Sequence, residues 1–128
     1  MTKLTESLAS LILRLGFGLP MAMHGFSKLL SFTEHATSFP DPIGLGPVLS
    51  MALAIFAELF CSLMVAAGLL TRWAAIPVVF TMAVAFLKIH ATDPWSNKEL
   101  SVLFGVAFLA ISLLGSGRFS LDRLFFKK

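Results

Sequence analysis

Apolar residues gather into four long runs, at about 7–30, 47–70, 73–89 and 99–115. None alternates with a period of two, and each is near the ~20 residues that a helix needs to cross a bilayer. The pattern predicts an all-α membrane protein: a four-transmembrane-helix antiparallel bundle occupying 1–128 as one domain, with a short amphipathic tail at 116–128. The connections differ in kind. Residues 31–46 form the longest, and Pro40-Asp41-Pro42 with Gly44 and Gly46 forbids a continuous helix through it. Thr71-Arg72 is so short a turn that the second and third helices must be antiparallel neighbours. Asp93-Pro94-Trp95 makes the last turn, with an interfacial aromatic. Beyond Gly115-Ser116-Gly117, Phe, Leu and basic residues alternate in a way that suits either a surface-lying helix or a frayed basic end.

Composition narrows the class. Hydrophobic residues make up 57% and charged ones 13%, against about 25% charged in an ordinary soluble domain. The first run is too long for a signal peptide and carries Arg14, so it reads as a retained helix. The net charge of +3 comes without a basic cluster in a polar, aromatic-rich context, so no nucleic-acid surface is expected. Lys3, Arg14, Arg72, Arg118, Arg123, Lys127 and Lys128 fall on one side of the predicted topology, and Lys28, Lys88 and Lys98 on the other. That asymmetry places both termini in the cytoplasm. The single cysteine, Cys61, excludes an intrachain disulfide and dithiol exchange within this chain, and reads as a packing residue.

One charge stands apart. Glu58 is the only ionisable residue of the second run and lies near its middle, roughly 16–18 Å from either end. A carboxyl there costs about 2.5–3.5 kcal/mol on insertion scales unless it is neutral, paired or wet. At 100° per residue, Met21, His24, Gly25 and Lys28 lie within about 80° of Arg14, which gives the first helix an inward-facing polar stripe. Arg14 or His24 can reach Glu58 by depth, and the sequence does not choose between them. Lys28, near the helix end, can also snorkel to the interface. His90 and Glu99 approach each other across the last turn, so His24, Glu58, His90 and Glu99 can line an outward-opening pocket. Their spacing matches no metal motif. Ser62-xxx-Ala66 and Ser101-xxx-Gly105 are candidate close-contact pairs between helices.

The order of these residues resembles the DoxX family of small four-helix membrane proteins. It runs through Arg14, Gly16, His24-Gly25, Lys28-Leu29, Ala57-Glu58 and Gly68-Leu69-Leu70-Thr71-Arg72. It ends with His90, Glu99 and Gly115-Ser116-Gly117-Arg118-Phe119-Ser120-Leu121-Asp122. The resemblance implies a bacterial inner-membrane protein. For function it implies a link to quinone or thiosulfate:quinone oxidoreduction, to thiol stress, or to catechol and quinone resistance.

Two functions follow as expectations. In the first, the chain is a redox-associated subunit that binds a quinone-like ligand. Phe17, Phe56, Phe60 and Phe86 would form the apolar walls. Arg14, His24, Lys28, Glu58, His90 and Glu99 would be the ligand-binding set, with Glu58 and His24 the candidates for catalytic proton handling. Electrons would come from a redox enzyme partner. In the second, the chain is a non-enzymatic assembly or partner-stabilising subunit whose buried charges fix helix register. The bilayer is its environment in both, and self-association into a homo-oligomer is compatible with either.

Overall fold

The computed structural model describes residues 3–41, 43–89 and 92–126, and these are all-helical, with no strand among them. Helix α1 covers Lys3–Leu30, and α2 is a single turn at Phe32–His35. The next apolar run folds as α3 (Pro47–Ile55), a π-helical turn (Phe56–Cys61) and α4 (Ser62–Ala67) in unbroken succession. It is followed by α5 (Thr71–Val84), which continues into a second π-helical stretch (Ala85–Ile89). Helix α6 covers Trp95–Leu114 and α7 is a short helix at Leu121–Phe126.

Among the described residues, three segments are long and apolar enough to cross a membrane: Leu4–Leu30, Pro47–Ala67 and Thr71–Lys88. Helix α6 opens on Trp95-Ser96-Asn97-Lys98-Glu99, which leaves an apolar stretch of only about three-quarters of the ~20 residues required. It packs closely along α5 and also against α1. The outward faces are apolar. Ile12, Trp73, Val106 and Leu113 are each 63–76% exposed, far more than a water-soluble domain tolerates over so much of its surface. Inside, Met21, Val65, Val78, Phe104, Phe108 and Ile111 share one core. Cys61 is buried there as a free thiol.

Contact between α1 and the second apolar segment is unusually close, and glycine permits it. A Cβ on Gly25 would fall 2.5 Å from the Leu59 nitrogen and 2.7 Å from the Glu58 carbonyl carbon. Backbone meets backbone there, so no side chain can move aside. Further along α1, Gly18 lies against the Ser62 carbonyl and Ala66, which puts the Ser62-xxx-Ala66 pair in a helix contact.

The turn between α4 and α5 ends α4 with Gly68 in the left-handed region (φ 78°). The Gly68 N–H donates to the Val65 carbonyl and the Leu69 N–H to the Met64 carbonyl, the hydrogen-bond pattern of a Schellman cap. The C-terminal segment then folds back over this turn. The Asp122 N–H donates to the Gly68 carbonyl at 2.9 Å. The Asp122 carboxylate accepts from the backbone N–H of Leu70 (2.7 Å) and of Thr71 (3.4 Å). A side chain fifty residues away thus performs the N-cap role for α5. Over the described residues 116–126 the tail is neither frayed nor simply laid on a surface, since hydrogen bonds attach it to the first and second apolar segments.

Candidate functional site

The polar groups of the interior separate into two layers. Arg14 and Lys28 share a stripe of α1 but stand about 21 Å apart along the helix axis, and each meets a different environment. The Arg14 guanidinium is fully buried. Its Nε donates to Ser10 Oγ (3.2 Å), one terminal nitrogen to the Ala66 carbonyl (3.2 Å) and the other to the Phe119 carbonyl (2.6 Å). Ser10 Oγ in turn donates to the Gly115 carbonyl at 2.6 Å. Arg14 therefore ties α1, the end of α4 and the tail together, and it does not contact Glu58.

In the other layer, Lys28 Nζ sits 2.6 Å from Glu58 Oε1. The Glu58 side chain is 6% exposed and that of Lys28 30%, so the pair lies with its anion inside and its cation toward an opening. Its partner is thus the lysine that an interfacial position alone would have explained, not Arg14 or His24. Two local features account for this. Gly25 lets α1 come against the Glu58–Leu59 peptide, one helical turn from Lys28. The π-helical turn Phe56–Cys61 carries Glu58 on a widened backbone. Such turns are uncommon and recur at functional sites. Ser62 Oγ donates to the Ala57 carbonyl at 3.4 Å, which supports one carbonyl of the irregular turn.

The pair faces a cavity of about 560 Å³. Its polar lining includes His24, Lys28, Glu58, Ser50, Thr81 and Ser101. Apolar walls come from Met21, Phe39, Phe56, Pro77, Phe80, Met82 and Phe104, with Pro40, Ile43 and Leu45 of the 31–46 connection at the side. The His24 ring stands edge-on to Phe104, with centroids 6.0 Å apart. Irregular backbone surrounds the space: the π-helical turn on one side, and on the other Pro77 and the start of the π-helical stretch at Ala85. Proline removes a helical N–H, and Thr81 Oγ1 donates to the Pro77 carbonyl at 2.8 Å within the same wall.

Asp41 shapes the side wall. Its carboxylate accepts from the N–H of Leu45 (2.8 Å), the N–H of Gly46 (2.9 Å) and Ser50 Oγ (3.0 Å), which folds the connection onto the start of α3. Desolvation pushes its pKa up, and hydrogen bonds from Gly46, Ser50, Leu45 and Gly44 outweigh that and hold the carboxyl below its ordinary range.

Of the sequence-predicted residues, His24, Lys28 and Glu58 meet at this cavity. Arg14 belongs to the other layer. Glu99 is exposed on α6 and does not line the cavity, and His90 lies outside the described residues. Among the aromatic walls, Phe56 is in place. Phe17 instead packs edge-on against Phe104 at 5.7 Å in the core, Phe60 is 52% exposed, and Phe86 lies under the Lys98 ammonium at 5.4 Å. Phe39, Phe80 and Phe104 were not foreseen. Which phenylalanine faces inward depends on helix rotation, and two π-helical stretches upset any count at 100° per residue. The Asp41-Pro42 pair ahead of two glycines was the available signal for the folded-back connection.

Comparison with known proteins agrees with the sequence. An uncharacterized protein of Haemophilus influenzae is 34% identical over 113 residues, covering 83% of this chain and 82% of its own length. An uncharacterized membrane protein of Mycobacterium tuberculosis is 32% identical, with 91% of this chain and 80% of that protein covered. No solved structure matches. The family model for DoxX matches residues 9–91, which hold most of α1, the Glu58 turn and α5. The chain belongs to the DoxX family, as a membrane protein with several apolar helices.

Proposed function

We propose that the chain is a bacterial inner-membrane protein that binds a quinone-like ligand in the cavity beside Lys28 and Glu58, as a subunit serving a redox enzyme. In this reading α6 is the fourth pass of an antiparallel bundle. The lysine and arginine asymmetry puts both termini in the cytoplasm and the cavity toward the periplasmic half.

The observation that carries the reading is an ion pair whose cation turns toward an apolar cavity. A pair kept only for helix register needs no such space. About 560 Å³ is within the ordinary range for small-molecule sites, roughly 300–1,000 Å³. Apolar walls with a few convergent polar groups suit a ring bearing carbonyl oxygens. The Lys28 ammonium can donate to one oxygen while Glu58 holds it in place. The His24 imidazole lies beside the same space, and its ring nitrogens can donate and accept hydrogen bonds. Reducing a quinone to the quinol takes two electrons and two protons. A redox partner would supply both electrons, and both protons would come from water at the cavity mouth, passed one after the other through His24 to the two ligand oxygens.

The test is to purify the protein in mild detergent and analyse it for bound quinone by absorbance and mass spectrometry. A stoichiometric quinone supports the reading. A protein free of quinone that brings a redox enzyme with it supports the assembly role instead, for which the directness of the Lys28–Glu58 contact is the favouring observation.

A further inference from the structure

We propose that a second cleft, at the opposite end of the molecule, binds the phosphodiester headgroup of an anionic phospholipid. The cleft has a volume of about 630 Å³ and opens between the start of α1, the first turn of α5, the end of α6 and the tail. It shares no lining residue with the Glu58 cavity, so the proposal stands independently of the quinone reading.

Three guanidinium groups line it: Arg72, Arg118 and Arg123. Each is delivered by a different element. Arg72 stands in the first turn of α5, its guanidinium packed over the Gly115 backbone. The Arg118 N–H donates to Ser7 Oγ at 3.2 Å, which fixes that loop on α1. The Arg123 N–H donates to Ser120 Oγ at 3.2 Å at the start of α7. All three side chains are exposed, and among the described residues none makes an ion pair. Two carboxylates also line the cleft, Glu6 and Asp122. The Asp122 oxygens are already engaged by Leu70, Thr71 and Ser116. The excess charge is positive, and the positive end of the α5 dipole lies in the same place. Guanidinium forks match phosphate oxygens two at a time.

An independent observation points to a missing oxygen ligand. Thr71 lines this cleft and is 1% exposed, and its Oγ1 has no hydrogen-bond partner among the described residues. A buried unpaired hydroxyl is costly. Its neighbours Ser7, Ser10 and Ser116 all use their hydroxyls within the protein. A phosphate oxygen at the cleft floor would complete Thr71.

The surroundings favour a lipid over free phosphate. Trp73 lines the rim and is 75% exposed, and Leu70 beside it is 43% exposed. From the rim, the exposed apolar faces of α1 (Leu8, Ile12) and α5 (Ile76) lead away along the spans, where acyl chains would lie. Indole at the headgroup level and basic pockets between helix ends are features of lipid contact.

Native mass spectrometry of the full chain, offered equal phosphatidylglycerol and phosphatidylcholine of the same chain length, tests this. Phosphatidylglycerol should be retained preferentially. Each arginine replaced by glutamine should weaken it about fivefold, so that Arg72→Gln/Arg118→Gln/Arg123→Gln removes the preference. Because those positions are exposed, melting and helix content should stay unchanged, which keeps the variant interpretable. Thr71→Val should weaken retention and Thr71→Ser restore it. Equal retention of the two lipids, or a preference that survives in the triple variant, overturns the proposal. Displacement of the lipid by inorganic phosphate alone, regardless of acyl chains, assigns the cleft to free phosphate and overturns it as well.

Discussion

Arg14 and Lys28 occupy one face of one helix, yet the protein treats their charges differently. Arg14 has no exposed surface, and three of its donors are matched to Ser10, Ala66 and Phe119. Lys28 holds one short contact to Glu58 and leaves nearly a third of its side chain open toward a cavity. A buried cation that donates to carbonyls of two other segments and to a hydroxyl of its own helix serves as a joint. A cation with one anchoring partner and accessible space beside it keeps donors for something else. Burial alone therefore does not separate structural from functional charge in a membrane helix. Counting the donors that the protein itself satisfies does.

The contrast predicts the largest loss of stability at Arg14. Arg14→Leu strands the carbonyls of Ala66 and Phe119 and frees the tail, and should cost about 3–5 kcal/mol. Thermal melting in detergent reads this, and wild-type melting would remove Arg14 from its role as joint. Gly25→Ala comes next. Its methyl meets the Glu58–Leu59 backbone, so α1 must shift, at about 1–3 kcal/mol. Because the shift lies at the ion pair, ligand affinity should fall together with stability, whereas Arg14→Leu should leave affinity in the surviving folded fraction near normal. Asp122→Ala removes the cap on α5 and should cost about 1–2 kcal/mol, with tail proteolysis accelerated and the Lys28 end unaffected.

The smallest effect is a pH dependence at Asp41. Its pKa is depressed in the folded protein. Its contribution is then present above the unfolded value, about 3.9, and lost as pH falls through the lower folded value. Melting followed from pH 6 to pH 3 should show a slight decline that Asp41→Asn abolishes. An unchanged decline in the variant would assign it to other carboxyls.

Much of this was legible before the structure. The isolation of Glu58 in an apolar run located the layer beside the cavity, and the polar stripe of α1 included the buried Arg14, Met21 and Gly25 together with the cavity-lining His24 and Lys28. What failed was depth and rotation. A stripe counted at 100° per residue shows a shared face without showing that Arg14 and Lys28 belong to separate layers along it. The second apolar segment is also not a regular helix: Phe56 lines the cavity and Phe60 does not, and the π-helical turn Phe56–Cys61 adds backbone that no residue propensity announces. The tail motif was visible as a string, but its purpose depends on Asp122 reaching Leu70 and Thr71 across fifty residues. Only tertiary structure supplies that.

The central claim, that the Lys28–Glu58 layer is kept for a ligand, is tested most directly by Glu58→Gln. Glutamine keeps size and hydrogen bonding but releases Lys28 from its counterion. Lys28 can turn toward the opening, so the stability cost should be only about 1 kcal/mol, well below that of Arg14→Leu. Binding of a soluble ubiquinone analogue to the detergent-solubilised protein should be measured by calorimetry for wild type and variant, alongside melting. The account predicts saturable binding by wild type and a loss of at least about tenfold in the folded variant. Equal affinity in both proteins, or a collapse in melting as large as that of Arg14→Leu, would contradict it and make the Glu58 pair a joint like the other.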